Sequence, residues 1–402
     1  MTGTHKNRLI YSILLVLIAI VFSFISLNYF VSPFVWIGFA WLMVCIFYFI
    51  ISGEKARIVL INIMVVLFTL SSFEAFVWIY MYRATRHIKQ TGNLYKKDYY
   101  FRVDDLLGYS PNKNVTANAK KFYKDELLFN VNYTIDDKGL RQSPPLDTAE
   151  HHDCILFFGC SMVFGEGLED DETIPYQLGL LSDGKYNIYT FGFHGYGPHQ
   201  MLSALQNGLT EKVLKNNEPI HVIYVGLIEH ALRSAGKISW DQHAPRYTLK
   251  DGTVYYDGRF DDGIFYTNPV LAKVYGYLNK SHIWQKIIEK RRVMTDADVE
   301  LFLSIIKQAQ IEVARLYPNA KFDVIMWNSS KYEEYARAQQ GFDERNLSIT
   351  WINEILPHYD ENIDQYRIHP KHEKHPNAYA NRIVARYVLD HFIDPPQVSA
   401  LP

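Results

Sequence analysis

Charge is what the first part of this 402-residue sequence lacks: from Leu9 to Gly53 there is not one charged side chain, and Ile58–Tyr82 is interrupted only by Glu74. That absence excludes an ordinary water-exposed N-terminal domain. A helix needs about 20 such residues to cross the hydrocarbon core, so Leu9–Phe30, Phe34–Ser52 and Ile58–Tyr82 are read as three transmembrane helices. Asn28 and Pro33 mark the first turn between them. Cysteine is scarce too. Cys45 falls in a span, and Cys154 and Cys160 fall at the two ends of one expected strand, too far apart to bond to each other. No disulfide framework, CxxC pair or Cys/His zinc spacing is present. Basic clustering is also missing: 41 Lys and Arg are scattered among 43 Asp and Glu, which leaves no footprint for nucleic acid.

The apolar part of the first span is longer than the core of a signal peptide, and no small-x-small cleavage site follows it. Lys6 and Arg8 precede that span and Lys55 and Arg57 fill the second loop, which favours a cytoplasmic N-terminus. Three crossings then carry everything after Tyr82 to the extracytoplasmic (periplasmic) side. Arg83, Arg86, Lys89, Lys96 and Lys97 argue the other way, but large C-terminal domains translocate largely regardless of charge. Glu74 lies roughly 24 Å along the third span from Ile58 at helical rise. It is read either as a contact with a membrane-protein partner or as a carboxylate reaching the interface.

Beyond the anchor (residues 1–82), residues 83–150 read as a small β-rich lead-in, with turn signals at Gly108–Asn112 and Asp136–Gly139. Residues 151–394 carry an alternation of strands and helices: strand 153–158, a helix from Thr173 to about Leu181, strand 186–191, a helix from Pro198 to Leu214 and strand 220–226. That rhythm predicts a three-layer α/β/α fold around a parallel sheet. An insertion at about 234–290 breaks it. Asp251-Gly252 predicts a β-hairpin, expected to lie over the carboxyl edge of the sheet. Thr295 and Asp298 approximate a capping box for a long amphipathic helix, followed by strand 321–327 and a final helix 376–392.

The candidate chemistry lies at three places. Behind the apolar run Cys154-Ile155-Leu156, the segment Phe157–Gly165 places Ser161 at the carboxyl edge of the sheet, where open α/β folds keep reacting groups. A serine hydroxyl is a poor nucleophile at neutral pH, so an imidazole must take its proton. His375, in His375-Pro376-Asn377, offers one. Between them stands Phe191-Gly192-Phe193-His194-Gly195-Tyr196-Gly197, where a glycine permits close approach of a backbone N–H to an oxyanion.

Phe158-Gly159-Cys160-Ser161 with Phe164-Gly165-Glu166-Gly167 resembles the first block of the SGNH (GDSL-type) hydrolases, with Cys160 in place of the usual Asp. The second segment resembles the block that supplies an oxyanion glycine, Gly195 being the better match and Gly192 the alternative. His375-Pro376-Asn377 resembles the histidine block. The blocks occur in family order across residues 153–392, and the whole chain also resembles a group of membrane-tethered SGNH proteins of uncharacterised role. The resemblance implies a flavodoxin-like sheet, a Ser161 nucleophile and a His375 base, with no cofactor and no metal. Family members place an aspartate two or three residues before the histidine; here Glu373 is the preferred orienting acid, with Asp364, Asp360 or no acid at all as alternatives. The Gly-x-Asn-Asp block is represented only by Gly226-Leu227-Ile228-Glu229-His230, in which His230 stands as a substitute donor, or the segment is a helix start with Arg233 paired to Glu229.

His194, His199, His369 and His372 add imidazoles, but their spacing is not that of a metal site. Trp240–His243 and the tyrosine-rich hairpin Tyr247–Tyr256 suggest a carbohydrate-stacking wall or, alternatively, rings packed on their own domain. The reading is a membrane-anchored serine esterase acting on an O-acylated envelope glycan. O-acetyl transfer at the same Ser-His site, or a catalytically weakened glycan-binding or assembly module, stands as the alternative.

Overall fold

The computed structural model describes residues 43–48, 53–144, 153–215, 217–291 and 293–395. The chain divides into two compact units: residues 1–87 with 263–292, and residues 88–262 with 293–402. Of the three expected spans, Leu9–Phe30 lies outside the described residues, as does Phe34–Ser52 apart from helical residues 43–48. Among the described residues one helix, not three, is long and apolar enough to cross a membrane: α1 (Glu54–Thr85), whose Val65, Phe68 and Phe76 are exposed.

The second unit opens with β1 (Ile88–Thr91), β2 (Phe101–Asp104), β3 (Gly108–Pro111), β4 (Val115–Tyr123) and β5 (Glu126–Ile135). β4 and β5 form a long antiparallel hairpin with β1 on its edge, and β2 pairs with β3. Alternate residues Ala117, Ala119, Val131, Tyr133 and Ile135 point inward, as the period of a half-buried strand requires. They share one core with Phe164, Phe193 and Tyr196 of the α/β layers.

The α/β layers follow: β6 (Asp153–Gly159), a one-turn α2 (Ser161–Phe164), α3 (Ile174–Leu181), β7 (Asn187–Thr190), α4 (Pro198–Gln206), α5 (Leu209–Leu214), β8 (Glu218–Gly226) and α6 (His230–Ser234). The single helix expected over 198–214 is two, because the chain turns at Gly208 with φ +66°. Next come the hairpin strands β9 (Pro245–Lys250) and β10 (Thr253–Arg259), turning at Asp251 and Gly252, both at positive φ. The hairpin packs through buried Tyr247 and half-buried Val254 into the apolar core on one face of the sheet. The remainder of the insertion, which the hairpin signal did not foretell, is helical: α7 (Ile264–Thr267), α8 (Pro269–Leu278) and α9 (His282–Arg291), all belonging to the first unit.

The chain ends with α10 (Asp296–Leu316), β11 (Lys321–Met326), α11 (Tyr335–Glu344), β12 (Ile349–Trp351), α12 (Ile352–Ile355), the short strands β13 (Arg367–His369) and β14 (Glu373–Pro376), and α13 (Ala378–Tyr387). The capping box at α10 is formed, Thr295 accepting from the Asp298 N–H and Asp298 from the Thr295 N–H. The final helix opens at Ala378, with Asn377 as its cap, and closes in a π-turn over Val388–Ile393.

Five parallel strands make the central sheet in the order β12-β11-β8-β6-β7. This is the 2-1-3-4-5 order of flavodoxin-like sheets. Both faces are covered, which is why β6 reads as an unbroken apolar run. Cys154, Leu156 and Phe158 face a core shared with α4, α10 and α11, while Ile155 and Phe157 face one shared with α3 and α13. The direction of winding reverses between β7 and β8, on either side of β6. A doubly wound sheet opens a crevice at the carboxyl end of such a strand.

Candidate active site

Ser161 is the first residue after the turn that ends β6. Gly159 makes that turn at φ +150°, and a Cβ there would sit 2.4 Å from the Val225 carbonyl oxygen, so only glycine fits. The buried guanidinium of Arg141 braces the loop that follows. It donates to the carbonyls of Phe164 (2.6 Å), Gly165 (2.8 Å) and Leu168 (2.7 Å) and pairs with Asp170 (2.9 Å).

His375 comes from the opposite end of the chain. It lies on β14, and residues two apart on a strand share a face, which puts Glu373 beside it. The Asn377 side chain holds this hairpin against α13: it donates to the carbonyls of Gln365 and Arg367 and accepts from the Ala380 N–H. The three expected residues meet. His375 Nε2 is 2.9 Å from Ser161 Oγ, and His375 Nδ1 is 2.5 Å from Glu373 Oε1. With Nδ1–H donated to the carboxylate, Nε2 is left as the acceptor for the Ser161 hydroxyl. Asp364 pairs with Arg367 and Asp360 accepts from Ser329 and Ser330, so neither alternative acid is in this chain of bonds.

Two charged neighbours, Lys121 and Glu166, were not given a role from the sequence. Lys121, from β4, meets the second oxygen of Glu373 at 2.6 Å. Glu166 Oε2 stands 3.7 Å from His375 Nε2 and 2.9 Å from His194 Nδ1, and the other ring nitrogen of His194 is 3.2 Å from Tyr100 Oη. Burial alone would raise the Glu166 carboxyl, but the His194 hydrogen bond and the charges of His375, His194 and Lys121 outweigh it and hold it at about 2. Burial works the same way on Glu373, and its bond to His375 and the nearby cations again win, so it titrates below the usual range. For His375 burial pulls the pKa down, yet the Glu373 bond and the charges of Glu166 and Glu373 carry it above the ordinary imidazole value. Burial with the two carboxylates pushes Tyr95 up to about 12, so it stands here as a neutral phenol. Glu166 lay inside the Phe164–Gly167 segment, and its place one residue beyond a turn glycine was the available signal. Lys121 left none, being fixed by tertiary packing.

Gly195 has φ +75°, and a Cβ on it would meet Tyr109 Oη at 2.6 Å and Trp240 Nε1 at 2.8 Å. Gly192 is backed against Gly159 at the end of β6 and against α2, where a Cβ on it would collide with Val163 Cγ1. A cavity of about 650 Å³ opens beside Gly195, walled also by Tyr95, Tyr100, Glu166, His194 and Trp240, whereas Gly192 lines a separate one. His230 is not brought to this place. Its ring is fully buried with Nδ1 2.5 Å from Tyr224 Oη, and burial, with the charges of Arg233 and His199, holds its pKa well below the ordinary value. Arg233 does not pair with Glu229 but donates to the Tyr196 carbonyl, and Glu229 accepts from Asn328, whose Oδ1 also takes the Ile228 N–H. The other histidines diverge: His199 binds Asp241 in the core, and His372 stacks between Tyr123 and His369. Among the described residues no three His, Cys, Asp or Glu side chains gather as a metal site.

No family model and no curated protein matches this chain. Among solved structures it is similar to an acetyl xylan esterase from the rumen bacterium Butyrivibrio proteoclasticus, at 10% identity over 75% of this chain and 97% of that one, with a TM-score of 0.32. What the site can do therefore has to be argued from its own atoms. The arrangement holds a hydroxyl, a base with a free lone pair and a buried carboxylate in line, which is the equipment for moving an acyl group through a serine ester.

Proposed function

We propose that this protein is a membrane-anchored serine esterase of the SGNH type, acting on ester-linked acyl groups, with acetyl groups of an envelope glycan as the substrate class. The observation that carries the reading is the unbroken contact from Ser161 Oγ through His375 to Glu373. Ser161 Oγ bonds to the ester carbonyl carbon while its proton passes to His375 Nε2. The C–O bond of the ester then breaks, and the alcohol leaves with that proton. Water attacks the acyl carbon and gives a proton to Nε2; the bond from that carbon to Ser161 Oγ then breaks, Nε2 returns the proton to Oγ, and the carboxylic acid and the free Ser161 hydroxyl are released. Glu373 keeps the imidazole in the required tautomer and stabilises the imidazolium. The N–H groups of Ser161 and Gly195 are the proposed oxyanion donors. Helix α1 supports the anchor, with the N-terminus assigned to the cytoplasm and the catalytic unit to the outer side.

A fluorophosphonate probe tests this directly. Covalent labelling lost in Ser161→Ala and kept in Ser110→Ala is expected, and labelling of intact cells by an impermeant form places the site outside. A folded protein that takes up no label would leave a glycan-binding or assembly module as the better reading. Product analysis with an acetylated glycan distinguishes release of acetate from transfer to a second hydroxyl, which would make the enzyme an O-acetyltransferase.

A further inference from the structure

We propose that residues 263–292 form a second membrane contact, a basic, aromatic helical segment that lies on an anionic lipid surface and is fastened to α1 by Glu74. The proposal rests on α1 crossing the membrane, as proposed above, and is independent of the chemistry at Ser161. Glu74 is fully buried although it sits in an apolar helix. Its carboxylate receives four hydrogen bonds from a segment some two hundred residues away in sequence: Ser281 Oγ at 2.8 Å, the His282 N–H at 2.5 Å, His282 Nδ1 at 3.0 Å and the Ile283 N–H at 3.2 Å. Two of those donors are first-turn N–H groups of α9, which have no partner within their own helix and carry its positive end. An isolated carboxylate among apolar side chains is costly, so the bonds hold α9 at one place on α1. That place is roughly 12 Å short of Tyr82 at helical rise, near the end of the apolar stretch, where headgroups begin.

The composition of the segment fits such a surface. It holds six Lys or Arg (Lys273, Lys280, Lys286, Lys290, Arg291, Arg292) against a single Glu, in a chain whose net charge is −2, and five aromatic residues. On α8, Val270, Val274 and Leu278 recur every fourth residue and are exposed, so they lie along one side of the helix. Ile264 and Phe265 extend that apolar surface, while Tyr275 turns inward against Tyr266 with ring centroids 5.1 Å apart. An exposed apolar stripe with aromatic and basic flanks is the pattern of a helix lying in the interface, where Lys and Arg are attracted to an anionic leaflet. Exposed apolar side chains of α1, among them Val65, Phe68 and Phe76, belong to the same unit.

The test uses the full-length protein in bilayers of phosphatidylcholine with or without phosphatidylglycerol. Val270→Cys, Val274→Cys and Leu278→Cys each receive an environment-sensitive fluorophore, with Asp137→Cys as the reference; Cys45, Cys154 and Cys160 are buried and serve as the unlabelled background. The expected result is blue-shifted emission at the three α8 positions, with roughly twofold or greater quenching by nitroxide lipids labelled near the headgroup, stronger when phosphatidylglycerol is present. Aqueous emission and quenching by iodide at all three would overturn the proposal. So would shielding in native membranes that vanishes in pure lipid, which marks a protein partner instead. Glu74→Gln, which keeps the shape but removes the charge, is expected to raise protease cleavage within 263–292 while the Ser161 probe still labels. Unchanged cleavage would show that Glu74 does not fasten the segment.

Discussion

At the scale of single residues, the site is a contest over one imidazole. His375 Nε2 faces both the Ser161 hydroxyl and the Glu166 carboxylate, and only the neutral ring can take the serine proton. Because the surrounding carboxylates carry the His375 pKa above its ordinary value, activity is gained as pH rises through that raised pKa and lost below it. Glu166→Gln removes one of the charges that favour the imidazolium. The acid limb of kcat/KM is therefore expected to move to lower pH, and a limb that stays in place would show that Glu166 is not coupled to the base. Glu373 was expected from the resemblance, because SGNH hydrolases carry an acid two or three residues before the histidine; that the two share one face of a strand is decided by the fold. Glu166 had only a weak local signal, its place just beyond the turn at Gly165, which does not say that the side chain reaches back to His375.

At the scale of elements, the loop after β6 depends on a side chain from the lead-in. Arg141 is buried and satisfies three carbonyls and Asp170, so removing it leaves a buried network without its donor. Arg141→Met is expected to destabilise the unit by about 3 kcal/mol, as loss of one partner from a buried pair does. A fall of several degrees in the temperature at which Ser161 probe labelling is lost would register it, whereas an unchanged midpoint would mean that the loop holds itself. The sequence showed β6, the capping box at Thr295 and the hairpin turn at Asp251-Gly252 because each is written within a few neighbouring residues. It did not show β13 and β14, since two strands of three and four residues carry too short a pattern to register as strands. Their pairing, not their composition, defines them.

At the scale of the whole molecule, the candidate site is not confined to the α/β layers. Lys121 on β4 neutralises the carboxylate that orients His375, across 252 positions of sequence, and the lead-in sheet shares its core with Phe164 and Phe193. Lys121→Met is expected to lower kcat by roughly tenfold with little change in KM, well short of the ~10⁴ that losing an orienting carboxylate outright costs. Recovery in Lys121→Arg would mark the effect as one of charge, and equal loss in both variants would point to packing instead. By itself the sequence determined what repeats or adjoins along the chain: an apolar helix, an alternating α/β order, a serine after a buried strand and a Glu-x-His pair. Such features depend on nearest neighbours and on the period of a helix or strand. The tertiary structure alone decided which distant groups surround them, with Lys121 on Glu373, Glu166 beside His375, and Ser281 and His282 on Glu74. A buried charge takes whichever partner the packing brings within reach, and that choice leaves no trace in local spacing.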